Sequence, residues 1–150
     1  MTNARALIRP VTTALVLMSC VLTSACLKST EPQPSVLQLN GSWNFTGVQS
    51  GPVTETLTGT LTISRESGSS FQGRLDLVAV NSQTGESRVL GGLVSGAASG
   101  TVIDFDANLE TAPRRHVGQL VADTISGTWV GPASSGGMSS GTFRVEREPR

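Results

Sequence analysis

The chain has 150 residues, 11 Lys and Arg against 11 Asp and Glu, and a formal net charge of zero. No basic excess is present for an electrostatic nucleic-acid binder, and 37% apolar residues with only 15% charged ones exclude a disordered chain. The length fits one domain. The first element is a targeting segment. Arg5 and Arg9 precede an uncharged stretch from Val11 to Leu22, in which Ala14, Leu15, Val16, Leu17, Met18 and Val21 are apolar. That run is shorter than the roughly 20 residues a bilayer-spanning helix needs. It has the proportions of a secretory signal, without the adjacent arginines of a twin-arginine signal, and predicts export with residues 1–25 removed.

The next residues, Leu22-Thr23-Ser24-Ala25-Cys26, resemble the lipobox of bacterial lipoproteins. The resemblance implies that Cys26 is acylated and becomes the new N-terminus. Thr23 stands where that family favours Leu. Leu17-Met18-Ser19-Cys20 is an alternative site, with Leu at the favoured place and Met beside it. A third reading is an ordinary signal peptide cut after Ala25, leaving a free thiol. Cys26 is preferred because its apolar run is longer and a linker begins directly after it. Cleavage there leaves 125 residues with 9 basic and 11 acidic side chains. Cys20 departs with the signal, so the mature domain is expected to hold no disulfide and no cysteine-based metal site or nucleophile. Leu27 after the cysteine, instead of Asp, implies the periplasmic face of the outer membrane. The expected partner at this end is the membrane itself, through the lipid anchor.

Residues 26–35 form a tether, with Pro32 and Pro34 among polar neighbours. The folded domain is expected over residues 36–150. It shows no helical periodicity. Period-two alternation recurs instead, most cleanly in Thr56–Ser64, where Leu57, Leu61 and Ile63 face one way and hydroxyl residues the other. Eight such segments are predicted: Gly41–Val48, Glu55–Arg65, Ser70–Val80, Arg88–Ser95, Thr101–Asn108, Arg115–Ala122, Thr124–Val130 and Ser140–Glu148. The links are short and rich in Gly, Pro, Asn and Ser, so consecutive strands must be antiparallel neighbours. Gly followed two places later by a large apolar residue repeats at Gly41/Trp43, Gly59/Leu61, Gly73/Leu75, Gly127/Trp129 and Gly141/Phe143. Small and large side chains alternating on one face suit a tapering closed barrel. The fold class expected is all-β, an eight-stranded antiparallel up-and-down barrel, with a β-sandwich as the alternative. A transmembrane barrel is excluded because the outward face carries Thr, Ser, Asp and Arg, and Tyr is absent.

Gly41-Ser42-Trp43 resembles the start of the first strand in calycins, the lipocalin and avidin type of barrel, where the Trp plugs the closed end. Phe71-Gln72-Gly73, Gly118-Gln119-Leu120-Val121, Gly127-Thr128-Trp129-Val130 and Gly141-Thr142-Phe143-Arg144-Val145 are similar to later avidin strands in order and spacing. The likeness covers Gly41 to about Val145 and implies a ligand-holding architecture. The biotin site does not carry over, because this chain has no Tyr and only Trp129 beyond Trp43.

Residues that carry chemistry are scarce. His116 is the sole histidine, which leaves no zinc set and one base without an evident nucleophile. No enzyme activity, metal or cofactor is expected. Arg114, Arg115 and His116 read as a solvated turn before the sixth strand, or as a positive rim at the barrel mouth. Asp104 and Asp106 read as the wet face of a strand. The function expected is a membrane-tethered envelope lipoprotein whose barrel binds a small apolar ligand or a partner. Phe105 and Trp129 would line its path, and Arg114 and Arg115 would receive an acidic head such as that of a fatty acid. The alternative is a structural lipoprotein with a filled core and no ligand.

Overall fold

The computed structural model describes residues 38–110, 112–133 and 136–149. The predicted signal segment, both cysteines and the predicted tether lie outside the described residues. Eight strands follow in chain order: β1 (Gly41–Ser50), β2 (Glu55–Ser67), β3 (Ser70–Asn81), β4 (Ser87–Ser99), β5 (Val102–Leu109), β6 (Ala112–Val121), β7 (Thr124–Pro132) and β8 (Met138–Arg147). Each pairs antiparallel with its neighbour, and β8 returns to β1, so the sheet closes on itself as an up-and-down barrel. Closure removes the open edges of a sheet, which would otherwise template pairing with another chain. The sandwich alternative is thereby eliminated.

The period-two pattern becomes an inside and an outside. Every Phe and Trp in the sequence is buried, and Leu57, Leu61, Leu75, Leu77, Ile103 and Val145 join them in one core. The outer wall carries Thr, Ser and charged residues interspersed with exposed apolar ones such as Val89 and Leu93, with salt bridges such as Arg74–Asp76 and Arg144–Glu146 between positions two apart on one strand. Glycine has a second role across the strands. Four inward Phe and Trp rings lie opposite a glycine on the adjacent strand: Phe45 opposite Gly59, Phe105 opposite Gly96, Phe143 opposite Gly127, and Trp129 opposite Gly141. A Cβ on Gly141 would stand 2.6 Å from Trp129 Nε1, inside contact distance. The absent side chain is the space the indole occupies.

Most strands run longer than the alternation suggested, β4 by the most, and β6 starts three residues earlier. It begins at Ala112, because Pro113 still pairs with Asn108 beside the strand start. Proline is tolerated at a strand start, where the missing N–H disrupts least. Arg114, Arg115 and His116 are therefore strand residues, not a link. The glycine-rich stretch from Gly91 onward likewise stays in β4 as far as Ser99.

The two barrel ends are unlike. At the end where the described chain begins, Trp43 is 0% exposed. Its Nε1 donates to the Leu39 carbonyl at 2.9 Å, and the Arg147 guanidinium lies over its ring. This is the plugged end that Gly41-Ser42-Trp43 implied. The opposite end, where β1 meets β2 and β5 meets β6, is polar.

Candidate functional site: the polar end of the barrel interior

Alternation carried one more step along four strands places polar side chains inside at this end. On β1 the inward series Trp43, Phe45 continues to Gln49. On β2 the series Ile63, Leu61, Leu57 ends in Glu55. On β6 the series His116, Arg114 points inward, and on β8 Ser139 follows Phe143 and Gly141. Gln49, Glu55, Arg114, His116 and Ser139 are all buried.

Most of these groups are satisfied. Arg88 grips Glu55 through Nε at 3.0 Å and Nη2 at 2.7 Å, and its Nη1 also donates to Glu110. Gln49 accepts from Arg114 Nη1 at 3.3 Å, and its own amide donates to the Val53 carbonyl at 3.3 Å. Ser139 donates to the Gly131 carbonyl at 3.2 Å. His116 is held by a 2.9 Å bond between Nδ1 and the Arg114 carbonyl. A carbonyl only accepts, so Nδ1 carries the proton in that bond.

Two donors are not satisfied. Arg114 is 2% exposed, and its Nη2 has no hydrogen-bond partner, its contact with Glu110 Oε2 being 3.6 Å. Trp129, also 2% exposed, has no acceptor for Nε1. The two side chains touch each other, with Arg114 Cζ 5.1 Å from the indole centre, a cation–π arrangement. Burial lowers the Arg114 guanidinium below its ordinary value, with Glu110 raising it, Arg88 lowering it and Glu55 raising it.

Beneath this polar layer the barrel is aromatic. Phe105 stacks on His116 with centroids 4.6 Å apart, Phe143 meets His116 edge-on at 5.2 Å, and Phe45 stacks on Phe143 at 6.0 Å. Desolvation pushes the His116 pKa down to about 4, with the Arg114 charge also lowering it and the bond to the Arg114 carbonyl opposing.

Of the four residues predicted to meet a ligand, three come together inside the barrel. Trp129 contacts Arg114, and Phe105 reaches both through His116. Arg115 does not join them. It points outward from β6 and bonds Asp104 through Nε at 3.1 Å and Nη2 at 2.6 Å. Adjacent strand residues face opposite sides, so Arg114 and Arg115 cannot share a rim. His116 is likewise no solvated turn residue; it is the centre of the ring cluster. Glu55, Arg88, Gln49 and Glu110 were not singled out from sequence, although the alternation in β1 and β2 carried the signal for Gln49 and Glu55.

No protein-family model matches the chain, and no curated protein matches it. Among solved structures, EF1p2_mFAP2b bound to DFHBI aligns with a TM-score of 0.59 at 11% identity, covering 73% of this chain and 94% of that one. A de novo designed fluorescence-activating β-barrel covers 73% of this chain and 93% of its own at 18% identity and a TM-score of 0.48. A redesigned β-barrel, mFAP0 bound to DFHBI, covers 73% of this chain and 98% of its own, at 18% identity and the same TM-score of 0.48. The likeness to EF1p2_mFAP2b is one of fold.

Proposed function

We propose that this chain is a membrane-tethered envelope lipoprotein, acylated at Cys26, whose barrel holds a small, largely apolar ligand at the polar end of its interior. One observation carries the ligand half: Arg114 Nη2 and Trp129 Nε1 are buried donors, in contact through their side chains, with no acceptor. A buried donor left unmade costs about 1–3 kcal/mol, and a ligand acceptor at that place removes the cost. The barrel architecture supports the reading, and EF1p2_mFAP2b, of similar fold, was solved with DFHBI bound. The tether half rests on the signal segment, the residues before Cys26 and the prolines after it. This reading gives the protein no catalytic step. His116 has its Nδ1 engaged by a backbone carbonyl and its ring enclosed by aromatics.

A second reading, a structural lipoprotein with a filled barrel, is favoured by the ring-to-ring packing of Phe45, Phe105, His116 and Phe143 across the midsection. Native mass spectrometry of the full-length protein purified from its host separates the two. The first reading expects a co-purified small molecule and a diacyl- or triacyl-modified Cys26 in the same spectrum. A ligand-free mass, with a high-resolution structure showing only water at Arg114 Nη2 and Trp129 Nε1, supports the filled barrel. Acylation at Cys20 moves the anchor, and an unmodified N-terminus removes it.

A further inference from the structure

The charge balance around Arg114 narrows the ligand's class, given the reading of the barrel as a ligand holder. Among the described residues, four charged side chains are linked by ion pairs at this end: Arg88 and Arg114, Glu55 and Glu110. Glu55 is engaged by two bonds from Arg88, and Glu110 is bonded to Arg88 and lies 3.6 Å from Arg114 Nη2. The set is electrically neutral, so no unbalanced positive charge awaits a carboxylate. Arg115 adds none, because it is exposed on the outer wall and paired with Asp104. Gln49 is engaged at both amide atoms, its oxygen accepting from Arg114 and its nitrogen donating to Val53. Among the described residues, the buried donor atoms left without an acceptor are Arg114 Nη2 and Trp129 Nε1. A buried site with donors left over and no net charge complements a neutral acceptor. An anion would bring a third negative charge into a desolvated place beside Glu110, where like charges repel strongly.

We infer that the ligand of this barrel presents a neutral carbonyl group, as in an amide, ester or ketone, to Arg114 Nη2 and Trp129 Nε1, with an apolar body. The fatty-acid head expected from sequence fits less well, because that expectation counted Arg114 and Arg115 together without their carboxylate partners. A carbonyl oxygen has two lone pairs and can accept from both donors.

Isothermal titration of the full-length protein in nanodiscs tests this, with empty nanodiscs as the reference. Three probes share one tail and differ in the head: octanamide, octanoate and octylammonium. At neutral pH octanamide is expected to bind at least about tenfold more tightly than either charged probe, a difference of about 1.4 kcal/mol. Glu110→Gln unbalances Arg114 and is expected to shift preference towards octanoate. Trp129→Phe, which keeps the ring and deletes one donor, is expected to lower octanamide affinity severalfold. Circular dichroism confirms that each variant is folded; if Glu110→Gln fails to fold, Trp129→Phe carries the test. Wild-type preference for octanoate or octylammonium overturns the neutral head and leaves ligand binding standing. An unchanged octanamide affinity in Trp129→Phe likewise overturns the donor assignment. No saturable binding of any probe, together with a ligand-free native mass, removes both.

Discussion

Arg147 lies with its guanidinium carbon 4.2 Å from the centre of the Trp43 ring, and the same arginine donates to the Asn40 carbonyl at 2.9 Å and to Asp123 at 3.1 Å. Residues from the first and last strands thus lock one barrel end, and the ladder between β1 and β8 runs from that lock upward. Trp43 fills the plug and Arg147 covers it. A cation over an indole contributes about 0.5–2 kcal/mol depending on desolvation.

Trp43→Ala is therefore expected to lower stability by about 3–5 kcal/mol, the range for emptying a large buried aromatic site. Arg147→Met, which keeps much of the apolar stem, should cost about 1–2 kcal/mol through the lost cation–π contact. Denaturant titration of both variants checks the order. A loss below about 1 kcal/mol for Trp43→Ala contradicts its role as a packed plug.

At the other end, Glu55 is buried and Arg88 is its main partner. Removing Arg88 alone strands a carboxylate in the barrel, so Arg88→Met is expected to destabilise by about 3 kcal/mol. Replacing both, as Arg88→Met with Glu55→Met, should recover much of that loss, because an apolar pair needs no solvent or counter-charge. Chemical denaturation of the two single variants and the double variant gives the coupling. Simple additivity of the losses would show that the pair does not act as a unit.

The fold was legible in the sequence because one physical signal repeats. Leu57, Leu61 and Ile63 alternate with threonines, and short Gly- and Ser-rich links allow only antiparallel neighbours. The Gly-to-aromatic spacing was visible too, but only along a strand. That Gly96 makes room for Phe105, and Gly141 for Trp129, depends on register between strands, which no single segment specifies. The polar end was misread for a related reason. Pro113 and two arginines look like a turn, yet the ladder to β5 holds them in strand geometry and sends Arg114 inward and Arg115 outward. The partners of Arg114 come from elsewhere in the chain: Gln49 from β1, Glu110 from the β5–β6 link, and Trp129 from β7. Only closure of the barrel brings them together.

Gly141 offers a direct test of the cross-strand fit. A Cβ there would drive into the Val48 carbonyl oxygen and stand 2.6 Å from the Trp129 indole nitrogen. Backbone and ring are both held by neighbours, so the strain has no cheap release. Gly141→Ala is expected to cost about 1–3 kcal/mol, as overpacking of a filled interior does, and to shift Trp emission. Gly68→Ala is the contrast: nothing lies within 4 Å of its Cβ, and only its φ of 61° is unfavourable. It should cost about 1 kcal/mol and leave emission unchanged. Equal losses with equal spectra would mean that backbone conformation, not ring packing, fixes Gly141.

His116 makes the barrel acid-sensitive in a defined window. Burial among Phe45, Phe105 and Phe143 holds the imidazole neutral, with a native pKa of about 4 against an ordinary 6.5. The unfolded chain therefore binds a proton between these values while the native barrel does not. A base with a lowered native pKa contributes its stability above the unfolded value, and that contribution falls as pH drops from 6.5 towards 4. Linkage gives a loss of about 2 kcal/mol at pH 5 relative to pH 7.5 from this residue alone. Carboxylates also titrate in acid, so the measurement is a comparison. Urea unfolding of wild type and His116→Phe at the two pH values isolates the histidine, since Phe keeps an aromatic ring in the stack and cannot protonate. The expected result is a drop in wild type that exceeds the drop in His116→Phe by about 2 kcal/mol. Equal drops would place His116 in contact with water or with a neighbouring anion in solution, and the enclosed ring cluster would not describe the barrel interior at acid pH.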